Sequence, residues 1–136
     1  MTELAKAYFR WYRGSTNDEW ARDRVEEIFD EDLDKAWEIT LELIEAAPSK
    51  ECLCYIAAGQ LEMLVSNCGK EVIDRIKSEA RQNNKLLFAM TGINIDEKNP
   101  ICDEYLRFVK EQIGFRTSDD LVDLPDRVSK LPSSHE

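Results

Sequence analysis

Apolar and polar positions alternate along the chain with a period of three to four residues almost from its start, the signature of amphipathic helices. Residues 3–13 place Leu4, Ala5, Tyr8, Phe9, Trp11 and Tyr12 on one side and Lys6, Arg10 and Arg13 on the other, and Gly14 stops the pattern. "STND" then supplies N-cap residues, with Glu19 spaced from Thr16 as in a capping box. A second helix over about 18–30 turns Trp20, Ala21, Val25, Ile28 and Phe29 inward, and a third over about 32–47 carries a wide stripe from Leu33 to Ala47 that includes Trp37. The pattern continues over 50–67, 70–82, a short piece in "KLLFAMTG", and from Pro100 to about 113. No run alternates with period two, so the fold class expected is all-α, with six or seven helices packed as antiparallel pairs in one domain, 1–114. The stretch 115–136 reads as an extended or partly helical tail.

Two glycines invite explanation. Gly59 interrupts a good helix at a cost of about 1 kcal/mol relative to alanine, which predicts a close helix crossing at the smooth patch Ala57, Ala58, Gly59. Gly69 reads as the C-terminal cap of the fourth helix. Near them, Glu62, Asp74, Arg75 and Arg81 are the polar groups closest to apolar neighbours. A Glu62–Arg75 or Asp74–Arg81 ion pair would fix a helix crossing, or, if it lined a cleft, hold a polar ligand.

Charge narrows the choice of function. The 136 residues carry a net charge of −10, and residues 17–51 hold thirteen acids against four bases. Such a field repels phosphate, so no direct nucleic-acid partner is expected, although residues 70–85 carry five bases against three acids. "EEIFDEDLD" packs six acids, Glu26, Glu27, Asp30, Glu31, Asp32 and Asp34, into nine residues. Such a run arises most simply as a solvated face with acids favoured at helix starts. Its functional reading is a surface for a basic protein partner, or a mimic of nucleic-acid phosphates. No partner's identity and no oligomeric state follow from it.

Several chemistries are poorly supplied. The single histidine, His135, lies next to the end, which argues against His-based nucleophilic catalysis and His-ligated zinc. Cys52, Cys54, Cys68 and Cys102 sit among apolar residues and read as reduced core thiols. No glycine-rich phosphate cradle occurs, so no cofactor is expected. No stretch reaches the roughly 20 apolar residues of a membrane span, and "MTELAKAYFRWYRG" lacks the pattern of a signal peptide, so the expected location is the cytoplasm and no membrane is expected as partner.

Residues 55–93 also carry a resemblance. Ala57, Ala58, Gly59, Leu61, Glu62, Gly69, Ile73, Asp74, Arg75, Ile76, Ala80 and Arg81 resemble the core motif of a family of small bacterial helical domains with no assigned activity. "KAWEITLELIEAAPSKECLCYI", with Trp37, is similar to the helix that precedes it, and the resemblance spans about residues 1–93. Gln60 stands where that pattern often has proline, and the chain after 95 departs from it. The resemblance implies an all-helical domain of a bacterium or phage and adds no catalytic residue. The function expected is therefore a non-enzymatic protein-interaction or regulatory module with an acidic N-terminal half. The alternatives are a ligand-binding or enzymatic domain using Glu62, Asp74, Arg75 and Arg81, and an acidic nucleic-acid mimic.

Overall fold

The structure, a computed structural model, describes residues 2–114 and 117–129. It is all-α: α1 (Glu3–Tyr12), α2 (Glu19–Glu31), α3 (Leu33–Ala46), α4 (Lys50–Ile56), α5 (Glu62–Ala80), α6 (Asn84–Met90) and α7 (Cys102–Ile113), with no strand among the described residues. One π-helical turn, Ala57–Leu61, joins α4 to α5 without a break, so the described helices number six when that run is counted once. By its internal contacts the chain divides into two compact units, one running to Cys52 and resuming at Leu124, the other Leu53–Asp123.

In the first unit, α1 packs on α2 and α2 on α3. Thr2 caps α1 through the Ala5 N–H, and Gly14, at φ 119°, turns the chain out of it. Asp32 is both the end of α2 and the N-cap of α3, its carboxylate accepting the Lys35 N–H at 2.8 Å. Ala5, Tyr8 and Phe9 of α1, Ala21 and Val25 of α2, and Ile39, Leu43 and Ile44 of α3 form the core. The first N–H groups of α4, which have no partner within their own helix, donate to the chain's C-terminal segment. Lys50 reaches the Pro125 carbonyl and Glu51 that of Asp126, each at 2.9 Å, while buried Ser49 accepts from Cys52.

The second unit buries Leu53, Ile56, Leu61, Leu64, Val65, Val72 and Ile76, and α6, whose residues Leu86–Met90 are all buried, packs on α5 and the π-helical turn. The break expected between 67 and 70 is a kink, at Cys68 (φ −130°, ψ 28°), and the helix continues to Ala80. Consequently Gly69 is not a cap. Ile101 lies across it so closely that a Cβ there would stand 2.7 Å from the Ile101 Cγ1. Gly59 reverses in the same way: a Cβ would meet nothing within 4 Å, and the residue sits in the π-helical turn rather than at a crossing. Tyr105 of α7 donates its hydroxyl to the Met90 carbonyl at 2.8 Å.

Of the stretch expected to be a tail, the described part forms a 3₁₀ turn at Ser118–Leu121 and buries Leu121 and Val122. Trp20, expected inward, is 48 % exposed, because only Ala21 and Val25 of α2 are buried and Trp20 lies roughly 100° round the helix from Ala21. Leu106, one residue from buried Tyr105, is exposed for the same reason. None of the four cysteines is in a disulfide. Only Cys52 and Cys102 are core residues, while Cys54 is exposed and Cys68 half-buried.

Candidate functional site

The acidic run occupies the junction of α2 and α3, and the structure sorts its six carboxylates. Glu27 takes Arg24 at 3.1 Å. Glu31 takes Lys35 at 2.7 Å and Arg24 at 3.6 Å, and the Lys35 hydrogen bond holds its carboxyl below the usual range. Asp32 is spent on its cap. Glu26 and Asp30, one helical turn apart on α2, are exposed; the Glu26 charge acts on Arg22 at longer range, and neither carboxylate forms a hydrogen bond or close ion pair among the described residues. Asp34 stands in the first turn of α3, where the macrodipole favours an anion.

Trp20 shares the outward side of α2 with Glu19 and Asp23. Those two carboxylates lie 3.6 and 3.0 Å from Arg22, whose guanidinium sits over the Trp11 ring at 5.7 Å. A large apolar side chain is thus set among exposed carboxylates. A separate groove of about 300 Å³ is lined by apolar Leu4, Ile28 and Ile39 and by charged residues that include Arg24, Lys35, Glu38 and Glu42.

The second predicted group does not assemble. Glu62 and Arg75 fall on the same helix, about 20 Å apart at roughly 1.5 Å per residue, because α5 runs through the position where two helices were expected. Glu62, half-buried, accepts the Asn94 N–H at 3.1 Å and so ties the loop before α7 to α5. Asp74 and Arg75 are exposed. Asp74 and Arg81 form no pair; Arg81 lies over the Phe108 ring at 5.4 Å instead.

Sequence reasoning treated Asp18 only as part of a capping segment. It is one of the few buried polar residues, 9 % exposed, and Arg10 grips it through Nε at 3.2 Å and Nη2 at 3.1 Å while Ser15 donates at 2.7 Å. The Arg10 hydrogen bonds, with that of Ser15, pull its carboxyl below the ordinary aspartate value. The signal available was an arginine and an aspartate flanking a glycine turn, too common a pattern to single out.

No cluster of three or more His, Cys, Asp or Glu side chains able to hold a metal occurs among the described residues, and His135 lies outside them. Among the described residues no helix is long and apolar enough to cross a membrane. Residues 12–110 match the family of unknown function DUF6869, a span that reaches beyond residue 93, where the sequence resemblance stopped. No curated protein and no solved structure matches the chain.

Proposed function

The chain belongs to DUF6869, whose function is unknown, and from its surface we propose that it is a non-enzymatic interaction module that presents the outward side of α2 to a basic protein partner. The observation that carries this reading is Trp20, 48 % exposed and flanked by Glu19 and Asp23, with exposed Glu26 and Asp30 further along the same helix. Tryptophan left half in water is the residue type that most often anchors an interface. Exposed carboxylates that form no close ion pair supply long-range attraction and orientation. Glu27, Glu31 and Asp32 already answer groups of this chain and therefore contribute less to a partner than their exposure suggests. Four cysteines outside disulfides favour a reducing, cytoplasmic setting, and the bacterial or phage setting rests on the sequence resemblance.

The same face is less suited to mimicry of nucleic acid, which needs a regular row of free charges, because cations of the chain interrupt it at Arg22, Arg24 and Lys35. A ligand-binding or enzymatic role for Glu62, Asp74, Arg75 and Arg81 together loses its geometric basis, since α5 spreads the four along its length. The test is retention of partners by the tagged full chain at low and high salt, with Trp20→Ala and the double variant Glu26→Lys/Asp30→Lys run in parallel. The reading expects a stoichiometric basic protein that high salt and both variants release. Equal retention by all three chains would remove it.

A further inference from the structure

The basic stretch singled out in the sequence has no part in the acidic face, yet the structure gives it a cleft of its own. Lys77 on α5 and Arg81 at its C-cap line, with Arg107 and Phe108 on α7, a depression of about 140 Å³ whose walls also hold Glu104, Glu111 and Gln112. The six polar side chains are not equivalent. Lys77 is 3.0 Å from Glu104, so its charge is answered within the chain. Its ammonium also lies 5.8 Å from the centroid of Phe108. Arg81 is held over that same ring at 5.4 Å. A cation–ring contact of this kind uses none of the guanidinium N–H groups as hydrogen-bond donors to the protein. Neither Arg81 nor Arg107 has a carboxylate or hydrogen-bond partner among the described residues. Three cations against two carboxylates leave the cleft with one net positive charge, on a chain whose total is −10.

We infer that this cleft is a binding site for a small oxyanion, a phosphate or carboxylate group, taken between the guanidinium groups of Arg81 and Arg107. Arginine is the side chain suited to this, because its planar fork matches two oxygens of such a group at once. The Lys77–Glu104 pair fixes the wall and Phe108 orients Arg81, so both act as positioning groups. Glu111 limits the site to ligands of low charge. The acidic field of the chain does the same at longer range, repelling polyanions while a single anionic group can be accommodated locally. The inference does not depend on the partner-binding role of α2.

The test is a nuclear magnetic resonance titration of the arginine side-chain N–H signals of the full chain. Sodium phosphate, sodium acetate and sodium chloride serve as probes at matched ionic strength. The expected result is a saturable shift of the Arg81 and Arg107 signals with phosphate, acetate or both, and not with chloride. Saturation by phosphate alone assigns the site to a phosphate group, and saturation by acetate assigns it to a carboxylate. Arg81→Gln and Arg107→Gln should each weaken that saturation at least fivefold, in proteins whose circular dichroism is unchanged because both side chains are exposed. Shifts that track ionic strength alike in all three salts, or saturation untouched by either substitution, would overturn the site.

Discussion

Arg10 holds Asp18 through two parallel N–H donors, at 3.2 and 3.1 Å, across the turn that Gly14 makes between α1 and α2. The aspartate is nearly buried and the arginine is partly exposed, with side-chain exposures of 13 % and 39 %. Removing the arginine strands a desolvated carboxylate, so Arg10→Ala should cost about 2 kcal/mol, discounted from a fully buried pair because water reaches one partner. Asp18→Ala should cost a similar amount, and the double variant clearly less than the sum of the two. Urea denaturation of the four proteins measures this, and simple additivity would argue against the pair as the organiser of the turn.

The same pair makes stability depend on acid. Arg10 and Ser15 lower the Asp18 pKa below its ordinary 3.8, so the folded state binds that proton less readily than the unfolded one. The contribution is complete above 3.8 and disappears as pH falls through the lowered value. Melting temperatures of the native chain and Asp18→Asn should therefore differ at pH 6 and converge toward pH 2. A constant gap across that range would count against this assignment.

Gly69 and Gly59 should respond to alanine with opposite signs. At Gly69 the new methyl enters space held by the Ile101 side chain, which is 5 % exposed and has little room to yield. Overpacking of that kind costs about 1–3 kcal/mol, more than the roughly 1 kcal/mol that alanine contributes to a helix. At Gly59 nothing stands within 4 Å, so Gly59→Ala should be neutral or stabilise by up to about 1 kcal/mol. Chemical denaturation of the two variants decides the matter.

Tyr105 should be the last tyrosine to ionise. Burial, with a smaller share from the charge of Glu62, raises its pKa well above the usual 10.0. A raised acid loses stability as pH climbs past the unfolded value, so alkaline unfolding should begin above pH 10 and be delayed by Tyr105→Phe. At neutral pH that substitution leaves the Met90 carbonyl without its donor, at a cost of about 1–2 kcal/mol. Ultraviolet titration of the phenolates, set beside thermal melts, tests both halves.

The helices were legible because their amphipathic period is strong. The boundaries expected at 3–13 and 32–47 fall within a residue or so of Glu3–Tyr12 and Leu33–Ala46. What misled was local punctuation whose meaning depends on neighbours distant in sequence. Gly69 after Cys68 has the form of a helix end, but Ile101, thirty-two residues later, requires a residue without a side chain there. Gly59 has the form of a crossing point, but the extra residue of a π-helical turn absorbs it. The reversal at Gly69 merged two expected helices into one bent run, and with it the Glu62–Arg75 pair was lost. The acidic run was plain in sequence, whereas its division into paired and unpaired carboxylates depends on Arg24 and Lys35 reaching particular oxygens. Trp20 was misplaced because an amphipathic stripe, read one residue too wide, includes its neighbour.

The exposed tryptophan makes the most direct test of the interaction surface. Trp20→Ala should leave the chain folded but cost about 1 kcal/mol, because the half-exposed indole lies outside the core yet hydrogen-bonds the Asp18 carboxylate. The decisive measurement is the set of proteins retained from the native host at low salt by the tagged native chain, compared with Trp20→Ala at equal loading. The account predicts one basic protein, in stoichiometric amount, held by the native chain and released by the substitution. A folded Trp20→Ala chain that retains the same proteins in the same amounts would contradict it.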